Sequence, residues 1–75
     1  MIPWMATDIC VRFGNRVRTL RKKRGWSQMY FSVHSGLART FVLDVEKGRK
    51  EACLRTIEVI AKSFDLTVSQ LTKGL

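Results

Sequence analysis

The sequence predicts an all-α fold of five helices, and three observations carry that expectation. Apolar residues recur three and four apart in two stretches: Ile9, Phe13, Val17 and Leu20, then Leu54, Ile57, Ile60, Ala61 and Phe64. At about 100° per residue each set shares one helical stripe. Cap residues and glycines punctuate the chain, with Ser27 and Thr67 suited to helix starts and Gly25, Gly36 and Gly48 to helix ends. No stretch alternates β-branched and polar residues as a half-buried strand does.

The first helix is expected over about residues 8–24. Thr7 or Asp8 caps it, and Gly25 takes the left-handed position that ends it. Arg21 lies at the edge of the apolar stripe, whereas Arg12, Arg16 and Lys23 lie toward the other side. A short second helix runs from the Ser27 cap to about His34, with Phe31 as its core residue. Ser32 is small enough for a close helix crossing, and Gly36 supplies the positive φ of a sharp turn. A third helix covers about Arg39 to Lys47, with Leu37, Val42 and Val45 inward. A polar loop, Arg49 to Cys53, precedes the fourth helix, which ends near Phe64. Thr67 opens a last short helix bearing Val68 and Leu71. Residues 1–7 read as a loose arm in which Trp4 is able to pack down. The whole chain, 1–75, forms one domain.

Seventy-five residues bury only about 60% of their unfolded surface, so the margin of stability is thin. They leave no room for a separate ligand-sensing domain, and no small-molecule ligand or cofactor is expected. The 14 basic residues outnumber 6 acidic ones, for a net charge of +8, and half of the basic residues lie between Arg12 and Arg24. Such a cluster suits a polyanion, because each neutralised phosphate releases counterions; the plainer alternative is a solvated helix face. No strongly apolar face accompanies the cluster as an interfacial anchor requires, and no apolar run approaches a membrane span. The N-terminus lacks the pattern of a secretory signal.

Cys10 and Cys53 form no disulfide framework, and with His34 as the single histidine no zinc-spaced ligand set exists. Both cysteines read as small, partly buried residues of a reducing cytoplasm. No nucleophile, base and orienting group assemble around His34, which reads as an exposed helix-end residue, so the chain is not expected to be an enzyme. Trp26 is placed to shield the turn between the first two helices.

Two short helices joined by a tight turn at Ser35-Gly36, the second presenting Arg39, Thr40 and Asp44 on one face, can enter the DNA major groove. The order R-x-L-R-x-x-R-G-W-S-Q from Arg18, S-G-L-A-R-T-F-V-L-D-V-E-K-G-R-K from Ser35 and L-R-T-I-E-V-I-A-K-S-F-D-L from Leu54 resembles the helix-turn-helix family of phage Cro and CI repressors, the XRE family. The resemblance spans about two thirds of the chain and implies a lambda-repressor-like domain. Within the family the chain looks most like controller proteins of restriction-modification systems, which often begin the recognition helix with Arg-Thr-aromatic, as in Arg39-Thr40-Phe41. It departs from the pattern at Ala38, where Ser or Thr usually caps that helix, at Ser32, usually alanine, and near Ala52, where proline is common. Alanine accepts no cap hydrogen bond, which costs the helix start about 1 kcal/mol.

Candidate roles follow. Arg39 can donate twice to guanine O6 and N7, or hold a phosphate. Thr40 can meet a base edge or a phosphate; base contact is what the resemblance implies. Phe41 can cover a thymine methyl or pack within the domain. Asp44 can accept from cytosine N4, although its charge repels phosphates, and Leu43 faces away. In the family, the position of Gln28 hydrogen-bonds a phosphate, helped by the helix N-terminus. Arg49 and Lys50 are candidate phosphate clamps or a solvated loop. Arg12, Arg16 and Lys22 to Arg24 are expected to add long-range attraction. In similar proteins the positions of Arg21 and Glu46 form an internal salt bridge.

One recognition helix covers too few base pairs for useful selectivity, so a homodimer on a pseudo-palindromic operator is expected. Val59, Val68 and Leu75 are candidates for its interface. For a controller protein the resemblance implies control of its own promoter and of endonuclease timing. An antitoxin that binds a toxin and autoregulates, and a phage-type repressor, stand as alternatives.

Overall fold

Among the described residues five helices follow one another: α1 (Ile9–Lys23), α2 (Gln28–Ser35), α3 (Arg39–Glu46), α4 (Leu54–Ser63) and α5 (Val68–Leu71). The structure is a computed structural model that describes residues 8–75, among which no strand occurs. The arm expected at residues 1–7, with Trp4, lies outside the described residues.

Local chemistry sets most helix boundaries. Asp8 Oδ1 accepts the Cys10 N–H at 2.7 Å, and Ser27 Oγ accepts the Tyr30 N–H at 2.9 Å. At α5, Thr67 Oγ1 accepts the Gln70 N–H while Gln70 Oε1 accepts the Thr67 N–H, a reciprocal capping box. Asp8 and Arg24 therefore flank α1 as caps, which shortens the expected helix by a residue at each end. At the end of α3, Gly48 at φ 73° lets its own N–H bond Val45 O and the Arg49 N–H bond Asp44 O. These two bonds satisfy carbonyls the helix ladder leaves open. The same closure ends α1 at Gly25 and α4 at Asp65, a non-glycine residue at φ 55°.

The core gathers Val17 of α1, Phe31 of α2, Val42 and Val45 of α3, Ile60 of α4, Phe64 just beyond it and Leu71 of α5. Phe31 and Phe64 stack with ring centroids 5.1 Å apart, and Trp26 stacks on Phe64 at 5.3 Å. Trp26 thus shields the α1–α2 turn and also joins it to the end of α4. His34 is exposed yet docked, its Nε2 3.0 Å from Ser63 O and its ring stacked on Tyr30.

Three expectations need correction. Ile9 and Leu54 are not core residues: they are 49% and 81% exposed. Each is the first residue of its helix, and side chains tilt toward the helix N-terminus, so both project past the packed turns. Cys53 is exposed rather than partly buried, because it occupies the N-cap of α4. There its hydrogen bond with Thr56 holds the thiol below its ordinary pKa. Cys10 is half-buried, as expected.

Three arginines of the basic cluster do more than attract at long range. Arg12 donates to Leu75 O at 2.7 Å, Arg16 to Leu71 O and Gln70 O at 3.0 and 2.9 Å, and Arg24 to Phe64 O at 2.6 Å. Their spacing by multiples of four puts them on one side of α1, facing the carbonyl ends of α4 and α5, where cations are favoured. Lys22 and Lys23 remain exposed.

Candidate nucleic-acid interface

The α2–turn–α3 unit is built by packing on α1. Gly36 closes α2 at φ 78° with its N–H on Ser32 O, and the chain turns into α3 within three residues. Val42 and Val45 bury one side of α3. Behind them, Gly14 of α1 meets the end of α3 backbone to backbone. A Cβ on Gly14 would overlap Val45 O and stand 2.8 Å from Glu46 O. In the sequence, the signal for this close approach is a glycine inside an otherwise good helix.

A buried charge cluster fixes the same joint. Arg21 Nε donates to Glu46 Oε2 at 2.7 Å and its NH2 group to Oε1 at 3.1 Å, while NH1 donates to Trp26 O at 2.8 Å. The two side chains are 9% and 3% exposed. Gln28 Nε2 also donates to Glu46 Oε1, at 3.3 Å. One carboxylate therefore ties α1, the first residue of α2 and the last residue of α3.

On this scaffold Arg39 and Thr40 are exposed in the first turn of α3. Ala38 precedes them in extended conformation without a side-chain cap bond, so the first amides of α3 stay open. Asp44, one turn after Thr40, is half-buried. Phe41 is half-buried too and packs against the core. Arg49 and Lys50 are exposed immediately beyond α3. At α2, Ser27 takes the Tyr30 N–H, which leaves the earlier amides of that helix for an outside acceptor. The inward bond of Gln28 uses one amide hydrogen and leaves the second free.

The arrangement offers hydrogen-bond donors at two helix N-termini and cations beyond α3, which suits an extended polyanion. Among the described residues no three His, Cys, Asp or Glu side chains gather to hold a metal, and no helix is long and apolar enough to cross a membrane. Of the expected self-association residues, Val59 and Val68 are 36% and 39% exposed, while Leu75 is half-buried against the core.

No protein-family profile matches the chain. Individual proteins do. The control protein C.MunI of a Mycoplasma species is 37% identical over 65 residues, 85% of this chain and 88% of that protein. The control protein C.BamHI of Bacillus amyloliquefaciens is 32% identical over 68 residues, 89% of this chain and 84% of that protein. Among solved structures, the restriction-modification controller protein C.AhdI of Aeromonas hydrophila superposes with a TM-score of 0.79 at 37% identity, covering 83% of this chain and 94% of that one. Likeness of this extent in sequence and in three-dimensional structure places the chain: it belongs to the family of restriction-modification controller proteins, helix-turn-helix regulators of transcription.

Proposed function

We propose that this protein is a sequence-specific DNA-binding regulator that pairs as a homodimer on a pseudo-palindromic operator. It controls restriction-modification genes and its own promoter, and acts in the cytoplasm without a catalytic step. The observation that carries the reading is the first turn of α3, where Arg39 and Thr40 are exposed on a helix anchored through Glu46 to the buried Arg21. Arg39 reads guanine through O6 and N7, and Thr40 contacts a neighbouring base edge. Asp44 accepts from cytosine N4, and Phe41 covers a thymine methyl with the edge left outside the core. Gln28, Arg49 and Lys50 hold phosphates on either side and set the register.

Two-fold pairing through Val59, Val68 and Leu75 sets two α3 helices on half-sites about 34 Å apart, one turn of the duplex. The +8 charge steers either subunit to DNA of any sequence. Selectivity therefore rests on the few side chains of α3.

Arg39→Ala tests the reading. It is expected to weaken operator binding by about 1–3 kcal/mol while sparing binding to random duplex. Competition titrations with labelled operator and excess random duplex measure both. An equal loss on the two DNAs contradicts base reading by Arg39.

A further inference from the structure

We propose that Arg12 and Arg16 are positioning residues for self-association, holding α5 in the orientation that presents Val68 to a second copy of the chain; this rests on the homodimer reading above. At four residues, α5 is too short to be stable by its own hydrogen bonds. Three anchors hold it: Leu71 sunk in the core, the Thr67–Gln70 capping box at its start, and the Arg16 guanidinium at its end.

The third anchor has the geometry of a clamp. Arg16 reaches the carbonyls of Gln70 and Leu71 together, through Nε and NH2. A planar guanidinium presents these two donors from separate nitrogens in a fixed fork, whereas an ammonium offers only a compact, freely rotating point charge. Arg12, one turn earlier on α1, takes the carbonyl of Leu75 beyond the helix. Its Nε is buried without a hydrogen-bond partner, so the side chain is drawn inward rather than spread over the charged surface. Both arginines thus direct hydrogen bonds to the segment that carries Val68 and Leu75, Arg16 two and Arg12 one. Without the Arg16 clamp, α5 is left pivoting on Leu71 and its N-terminal cap. Val68, the first residue of α5, then loses its fixed place relative to Val59 on α4.

Sedimentation equilibrium of the full chain and its variants tests this, at a temperature where circular dichroism shows native helix content. Arg16→Ala is expected to raise the dimer dissociation constant tenfold or more, and Arg12→Ala to raise it less. Arg18→Ala removes the same charge from an exposed position and should stay within twofold of wild type. If Arg16→Ala fails to fold, Arg16→Lys takes its place. It keeps the charge and the stem, and should still dimerise several-fold more weakly. A dimeric wild type whose position-16 variant associates equally well, or no worse than Arg18→Ala, overturns the positioning role alone. A wild type that stays monomeric at tens of micromolar overturns the homodimer reading and this inference with it.

Discussion

Glu46→Ala should lower the melting temperature by roughly 15 °C or more, whereas Lys47→Ala, one residue on, should move it by only a few degrees. The asymmetry follows from burial. Glu46 accepts from Arg21 twice and from Gln28 once, in a place where both charged side chains are nearly inaccessible. Lys47 is exposed. Removing one member of a buried pair strands the other charge, at a cost of about 3–5 kcal/mol. That is a large part of the roughly 5–15 kcal/mol by which a typical domain is stable. Glu46→Gln keeps an acceptor for Arg21 and should fall between the two. Thermal melts followed by circular dichroism check the order. Equal melting of Glu46→Ala and Lys47→Ala contradicts a structural role for the pair. The same loss reaches function, because Glu46 ends the helix that Arg39 begins.

Gly14→Ala is the second large effect, and its sign is the informative part. In an open helix interior, glycine to alanine stabilises by about 1 kcal/mol. Here the added methyl meets the carbonyl oxygens of Val45 and Glu46, backbone atoms that no rotamer change moves aside. Overpacking against a fixed wall costs about 1–3 kcal/mol and overrides the helical gain. The expected outcome is a melting temperature lower by about 10 °C, with α3 displaced from α1. Asn15→Ala, at the exposed neighbouring position, should be neutral or slightly stabilising. A Gly14→Ala protein as stable as Asn15→Ala would mean that α1 and α3 do not approach so closely.

These two residues mark the boundary of what the sequence discloses. Helix periodicity, the Ser27 and Thr67 caps and the glycine stops are local signals. They are legible because a helix is built from contacts within four residues of each other. The family motif extended this to the helix-turn-helix and to the exposed start of α3. Gly14 is also visible as an oddity within a helix, but what it accommodates lies 31 residues away at Val45. The carbonyl contacts of Arg12, Arg16 and Arg24 are hidden from the sequence for the same reason. Charge and helical position describe a basic face, while the acceptors, Phe64, Gln70, Leu71 and Leu75, are supplied by distant chain ends. Ile9 and Leu54 show the converse. They keep the period of the apolar stripe but occupy the first turn, where no neighbouring element covers them. In the candidate interface, the missing cap at Ala38 was plain from the residue type. The inward bond of Gln28 was not, because a carboxamide at a helix start can turn either way.

The most direct test is selection of bound duplexes from a random-sequence pool with the full-length protein. The account predicts enrichment of one site with two half-sites related by two-fold symmetry, centred about one helical turn apart, each with a guanine at a fixed position. A bound pool that remains random after repeated rounds would contradict it, leaving a protein that binds DNA by charge alone.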